Sequence, residues 1–469
     1  MARRRWAFSI GVGALLVLAT SGCAWVERAS VDSSGTQANG ASLGVAVSAD
    51  GRYIAFPSFA SNLVAGDTNG TPDVFVRDTV TGTTTRVSVD SAGTQANGNT
   101  TEAAISGDGR YVAFASSATN LVVGDTNGTT DVFVRDTVAG TTTRVSVDSS
   151  ATQANGGSVS MAISADGRYV AFRSLASNLV AGDTNGFSDV FVRDTVAGTT
   201  TRVSVDGVGT QANAESREAA ISGDGRYVGF RSSASNLVAG DTNGADDVFV
   251  RDTVAGTTTR VSVLSDGTQA NADSTAPAFS ADGRYVAFSS SASNLVAGDT
   301  NGFLDVFVRD TVAGTTTRVS VDAVGAEANL PSLGSGFSAD GRYVAFVSLA
   351  SNLVAGDTNS TSDVIVRAHP QPTVTGLAPG SLARGTTTPV TVTGSGFIGG
   401  ALGLSATGNG GDVTFSNVTV VSPSEITALA TVAEGATVGA RVLWVLLAGT
   451  GPGLGAGASG ICGSCLTVT

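Results

Sequence analysis

The chain contains no lysine, one histidine and three cysteines. Without lysine, the Gly-x-x-x-x-Gly-Lys-Ser/Thr loop that cradles nucleotide phosphates cannot be written anywhere in it. The lone His369 precedes Pro370 in a proline-rich stretch, where it reads as a spacer residue. The 26 basic residues, all arginine, face 39 acidic ones, giving a net charge of −13. An acidic chain without basic clusters argues against nucleic acid or an anionic membrane surface as partner, and the plain use of its charge is solubility. Aromatics make up 6% and charged residues 14%, yet 42% of residues are hydrophobic. That is enough apolar material to bury a core, so the chain is neither disordered nor fibrous. No long amphipathic helical pattern appears. Strand formers separated by Gly, Asp, Asn and Ser turns point to an all-β protein.

What is present is repetition. Ser-Ala/Gly-Asp-Gly-Arg-Tyr-Val/Ile-Ala/Gly-Phe returns six times, with its aspartates at Asp50, Asp108, Asp166, Asp224, Asp282 and Asp340, always 58 residues apart. A strict period means one supersecondary unit copied in tandem. In the second copy, residues 102–106 read as a short strand, Gly107-Asp108-Gly109 as a tight turn and 110–115 as a second strand, apolar on both faces. A long loop, 117–130, leads to a third strand at 131–136, and 142–147 make the fourth. Its second half alternates, Val145 and Val147 inward, Arg144 and Ser146 outward, as an edge strand with one wet face does. Four short antiparallel strands of this kind describe a β-propeller blade. A solenoid is the alternative, but it needs polar capping repeats and none is seen. The sixth copy stops after Asp363-Val-Ile-Val-Arg367, without its Thr-Thr-Thr-Arg-Val-Ser-Val strand. Arg28-Ala-Ser-Val-Asp32 matches Arg86-Val-Ser-Val-Asp90 one period on. Residues 28–32 are therefore expected to supply the outer strand of the sixth blade and close a six-bladed ring.

Ser-Ala-Asp-Gly-Arg-Tyr-Val-Ala-Phe followed by Asp-Val-Phe-Val-Arg-Asp resembles the WD40-like repeat of TolB-type periplasmic propellers. The resemblance covers about residues 28–368. It departs from the family in lacking a proline in the first turn, in its longer middle loop and in having no TolB-type N-terminal domain, so no partner carries over. After the linker 369–372, residues 373–469 carry short alternating strands that suggest a small β-sandwich. Pro379-Gly380 followed by Val390-Thr-Val-Thr-Gly-Ser-Gly-Phe397 resembles an IPT/TIG immunoglobulin-like domain. Such domains serve as spacers or binding modules.

The N-terminus has the export pattern: Arg3, Arg4 and Arg5, an apolar run 6–19, then Thr20-Ser21-Gly22-Cys23. Cys23 in this setting resembles the lipidated cysteine of bacterial lipoproteins, with 1–22 removed, although Thr20 stands where leucine is preferred. Ordinary cleavage with an incidental Cys23 is the other reading. The apolar stretch 442–448 is too short for a second membrane segment. The spacing of Cys462 and Cys465 in an exported chain reads as a local disulfide.

One constellation remains: Gly-Asp-Thr-Asn-Gly-x-x-Asp in the middle loop. Its members are Asp67, Asn69 and Asp73; Asp125, Asn127 and Asp131; Asp183, Asn185 and Asp189; Asp241, Asn243 and Asp247; Asp299, Asn301 and Asp305; and Asp357, Asn359 and Asp363. Ser360 replaces the glycine in the last copy. Oxygen side chains at positions one, three and seven around a turn suit a hard cation such as calcium. They equally suit a plain turn with an Asp capping the third strand. Near-identical units favour a binding or scaffold protein of the cell envelope, monomeric, touching the membrane only through a lipid anchor, with an envelope or extracellular protein or glycan as partner. A propeller hydrolase of glycans or peptides using channel carboxylates is the alternative. It requires polar residues peculiar to single blades, and the variable first-strand positions are Arg217, Glu218, Met161, Pro277 and Phe337.

Overall fold

The computed structural model describes residues 28–338, 341–368, 373–395, 402–407, 412–422, 424–447 and 458–469. Every regular element among them is a β-strand, and no helix there is long and apolar enough to cross a membrane. The repeats form six consecutive antiparallel sheets, five of four strands and a sixth of three. Unit 2 shows the pattern, with strands Thr100–Ile105, Tyr111–Ser116, Asp131–Asp136 and Thr141–Arg144 lying in chain order. The fourth strand is shorter than the alternation suggests. After Arg144 the chain leaves the ladder, and Val147 bridges Gln153 instead. Val145 and Val147 are still buried, Val145 in the core shared with the next unit.

The core lies between units rather than within one. Ala55, Val74 and Val76 of unit 1 meet Val112, Phe114 and Phe133 of unit 2, and the same set recurs at the next seam as Ala113, Val132 and Val134 against Val170, Phe172 and Phe191. A strand covered on both faces has no reason to alternate, which is why the second and third strands read as unbroken apolar runs. Each buried Phe contributes about 1.5–3 kcal/mol, so the seams carry the hydrophobic stability of the array.

The repeated motif is the stitching. The Asp108 carboxylate accepts from Ser106 Oγ at 2.6 Å and from the Arg110 amide at 2.9 Å, closing the turn. Arg110 then grips Asp136 at the end of the third strand, Nε to Oδ1 at 2.9 Å and Nη2 to Oδ2 at 2.7 Å. Its guanidinium lies 4.9 Å from the Tyr111 ring centroid. On that ring sits Gly167 of the next unit, at φ +73°, where a Cβ would come within 2.1 Å of Tyr111. Turn also bonds to turn: Gly107 N donates to Ala165 O, Ala165 N to Gly223 O and Gly223 N to Ala281 O, at 2.8–3.0 Å. Third-strand arginines complete the seam, as when Arg135 Nη1 donates to Asp90 O at 2.9 Å.

The two ends of the array differ from the closure expected of the sequence. Unit 6 has three strands, Ser332–Phe337, Tyr343–Ser348 and Asp363–Ala368. Among the described residues no ladder joins 28–32 to Asp363–Ala368. Val31 bridges Gln37, its carbonyl accepts from Thr84 Oγ1 at 2.6 Å, and Asp32 O accepts from Arg77, the contacts that Val89 and Asp90 make with unit 2 one period on.

Beyond residue 372 two further four-stranded sheets form. One orders Thr373–Ala378, Thr387–Ser395, Glu425–Val432 and Val413–Ser422; the other orders Ser381–Leu382, Ala458–Val468, Gly439–Leu447 and Leu402–Thr407. They share a core in which Val390, Ala428 and Ala430 of the first meet Leu382, Leu466 and Val468 of the second. The first sheet is antiparallel throughout and the second is mixed, since Ser381–Leu382 pairs in parallel with Ala458–Val468.

Candidate functional site

The middle loops bring together the residues singled out from the sequence, with one addition the spacing did not reveal. In unit 3, Arg202 Nη1 lies 3.2 Å from Asp183 and 3.3 Å from Asp189. Arg86 does the same for Asp67 and Asp73 at 3.3 Å, Arg144 for Asp125 and Asp131 at 3.3 and 3.5 Å, Arg260 for Asp241 and Asp247 at 3.0 Å, and Arg318 for Asp299 and Asp305 at 3.2 and 3.4 Å. The second carboxylate of each pair also accepts from a buried serine, Ser204 Oγ to Asp189 Oδ1 at 2.5 Å in unit 3. Asn185 turns its amide nitrogen, not its oxygen, toward Asp189, and donates as well to Ala212 O at 2.9 Å. Its oxygen accepts from the Phe187 amide inside the turn. The three side chains therefore do not converge on a calcium ion. The cation between the carboxylates of units 1–5 is a guanidinium, an arrangement that fits the capped turn, the other of the two readings. Among the described residues no three acidic, His or Cys side chains meet in a metal-holding group.

Burial shapes the titration of these pairs. Desolvation, joined by the neighbouring carboxylate and opposed by the arginine, holds Asp67, Asp183 and Asp241 above the ordinary aspartate pKa. Burial also raises Asp189, against the pull of Ser204 and Arg202. The loops meet the following connection: Gln95 Nε2 donates to Thr68 Oγ1 at 2.7 Å, and Asn69 Nδ2 to Ala96 O at 2.9 Å.

Chemistry not spent on the repeat sits where single units depart from it. First strands of successive units lie side by side, and those of units 2–6 each carry an irregularity. Ser160, Glu218 and Ala276, one period apart, all adopt left-handed φ of 52–58°. Glu102 Oε2 accepts the Ser160 amide and Glu218 Oε2 the Ala276 amide, both at 2.7 Å across a seam. A cavity of about 330 Å³ beside them is lined by Val45, Pro57, Glu102, Ser160, Met161 and Ala219, drawn from units 1–4. In unit 4, Arg231 bonds Glu218 Oε1 at 3.0 Å and Asp246 Oδ2 at 2.7 Å, and Arg217 pairs with Glu215 at 2.6 Å. Burial works against the Asp246 charge, but Ser233 and Arg231 outweigh it and its pKa falls. A general acid needs the opposite shift. The sequence reading picked out Glu218, Arg217 and Met161 but missed Glu102, Arg231 and Asp246. The signal was there: Asp246 stands where the other units have Pro72, Thr130, Ser188, Leu304 and Ser362.

Cys465 is disulfide-bonded, and the side chain of Cys462 lies outside the described residues, as do Cys23, His369 and residues 1–22.

No family model matches the sequence, and no curated protein is similar to it. Among solved structures, the chain is similar to a TolB from Agrobacterium tumefaciens, at 16% identity and a TM-score of 0.39 over 71% of this chain and 92% of the other. It is similar to a protein of unknown function from Bacteroides thetaiotaomicron, at 12% and 0.33 over 68% and 72%. It is similar to the WD40 repeats of RRP9, at 9% and 0.30 over 69% and 93%. At such identities and TM-scores nothing about activity transfers. The repeated four-stranded antiparallel sheets are by their own topology propeller-like.

Proposed function

We propose that this protein is a non-enzymatic binding or scaffold module of the cell envelope: a six-bladed propeller followed by an IPT/TIG-like sandwich, exported and lipid-anchored at Cys23. One observation carries the reading. In units 1–5 the repeated polar residues are used up within the array, each carboxylate pair by its arginine and each Asp-Gly-Arg-Tyr by its own turn and third strand. A rigid platform remains, whose recognition falls to residues that differ between units. These are the charged group of Glu215, Arg217, Glu218, Arg231 and Asp246, beside the cavity lined by Glu102 and Ser160. Ion pairing and a lowered Asp246 pKa suit recognition of a polar envelope protein or glycan better than proton transfer.

The test combines fractionation and binding. Cys23→Ser should move the protein from the membrane to the soluble fraction. Crosslinking in the envelope should capture a discrete partner that Arg231→Ala loses. Turnover of polysaccharides or peptides abolished by Glu102→Gln or Glu218→Gln would establish the hydrolase instead.

A further inference from the structure

Unit 6 ends in an incomplete copy of a site that is complete in the other five. In units 1–5 the end of the fourth strand delivers an arginine to the carboxylate pair, and the segment after it delivers a serine to the second member. Asp357 and Asp363 are the sixth pair, and among the described residues they meet neither. Among the described residues Asp363 is held by Asn359 Nδ2 alone, at 3.3 Å. Both carboxylates line an open cavity of about 410 Å³ with Val364 and Val366. Those valines are 71% and 62% exposed, whereas their counterparts Val74 and Val76 are 0% and 7% exposed. The strand Asp363–Ala368 is also an unpaired edge, a template for another strand.

The missing groups stand at the other end of the chain. One period before Arg86 and Ser88 lie Arg28 and Ser30. Arg28 is exposed, and its guanidinium bonds the Gln37 oxygen at 2.7 Å and no carboxylate. Among the described residues, one end thus presents two carboxylates without a cation, and the other an arginine without an anion.

We infer that the open face of unit 6 is a docking site for the Arg28–Val31 strand of this same chain, with the Arg28 guanidinium seated between Asp357 and Asp363 and the Ser30 hydroxyl on Asp363. The inference rests on the six-unit ring reading and supplies its lock. The register follows from the other units. Phe75 faces Arg86 and Val87 N donates to Val74 O at 2.9 Å, so Ile365 faces Arg28 and Ala29 N donates to Val364 O. The bonds of Val31 and Asp32 to unit 1 are kept. Their counterparts Val89 and Asp90 accept from Thr142 and Arg135 of unit 2 while Val87 stays bonded to unit 1. Docking therefore seats the segment between units 6 and 1 and covers Val364 and Val366. Tethering favours the chain's own strand over that of a second copy, because the effective concentration of a linked partner is of order millimolar.

A cysteine pair, Ala29→Cys with Val364→Cys in a Cys23→Ser background of the full chain, reads the docking directly. Facing residues of this kind sit about 5.5 Å apart between Cα atoms, within disulfide reach. The expected result is an oxidised monomer with an internal crosslink. Adding Arg28→Glu should slow crosslinking at least about tenfold, the equivalent of about 1.4 kcal/mol, and Asp363→Arg in that background should restore it. Disulfide-linked dimers or larger species would assign the face to a second copy and overturn the inference. So would an absence of crosslinking in a folded chain, or a rate indifferent to Arg28→Glu. A chain that crosslinks internally yet captures no envelope partner would sink the binding reading and leave the lock standing.

Discussion

Replacing Arg202 by methionine tests whether the arginine-centred carboxylate pairs hold the array together. The side chain is 9% exposed, between Asp183 at 4% and Asp189 at 0%. At 3.2–3.3 Å and an effective dielectric of about 20, each contact is worth about 5 kcal/mol of Coulomb attraction before desolvation is subtracted. Methionine keeps most of the volume and removes only the charge and donors. Two buried carboxylates then face each other without a counter-charge, a change of the kind that costs about 3–5 kcal/mol. Ser204 and Asn185 still donate to Asp189, so the lower half of that range is expected. The assay is urea unfolding at neutral pH, with hydrogen exchange at Asp189–Asp194 and Thr199–Arg202 to confine the loss to unit 3 and its seams. A second signature separates electrostatics from packing. Without Arg202 the pair can relieve itself by sharing a proton, so the variant should regain stability as the pH falls from about 7 to about 5, where the parent gains far less. A loss below about 1 kcal/mol, or a variant with no such recovery, would refute the reasoning.

The other expectations are briefer. Gly167→Ala must place a methyl group on the Tyr111 ring at a left-handed φ, and should lose about 2–4 kcal/mol by overpacking and backbone strain together, read as a lowered urea midpoint; a neutral effect would disprove the ring–glycine seam. Arg110 and Arg168 hold Asp136 and Asp194 at about 2, below the unfolded value of about 3.8. A depressed carboxylate stabilises above its unfolded pKa, so this contribution should fade between about pH 4 and 2, and acid titration of Arg110→Met should show a shallower loss over that window. Because guanidinium groups occupy the loops of units 1–5, neither excess Ca²⁺ nor EDTA should move the thermal midpoint of the parent protein, and a clear shift with either would restore a calcium role.

Much of the architecture was legible because the period makes each local pattern appear six times. Unbroken apolar runs at 111–116 and 131–136 announced strands covered on both faces, and the seams show why. The fourth strand was read too long, since Val145 and Val147 alternate as a strand would but are buried after leaving the ladder. Asp-Gly-Arg-Tyr was recognisable as a turn, yet nothing in its spacing said that Arg110 would reach Asp136, 26 residues on. Charged departures from the repeat were visible at Glu218 but passed over at Glu102, Arg231 and Asp246, because their significance lies in meeting one another across strands.

By itself the sequence determined the unit, its count of six copies, its strand order and the residues that recur at every seam, since these follow from local periodicity and turn chemistry. Only the tertiary structure decided which cation the loop carboxylates hold. Oxygen ligands at one, three and seven are compatible with calcium or with a turn, and the choice falls to Arg86 and its four counterparts, delivered from a strand the loop spacing does not encode. It also decided what stands at the two ends, where Arg28 and the Asp357–Asp363 pair each present half of a contact that is whole everywhere else in the array.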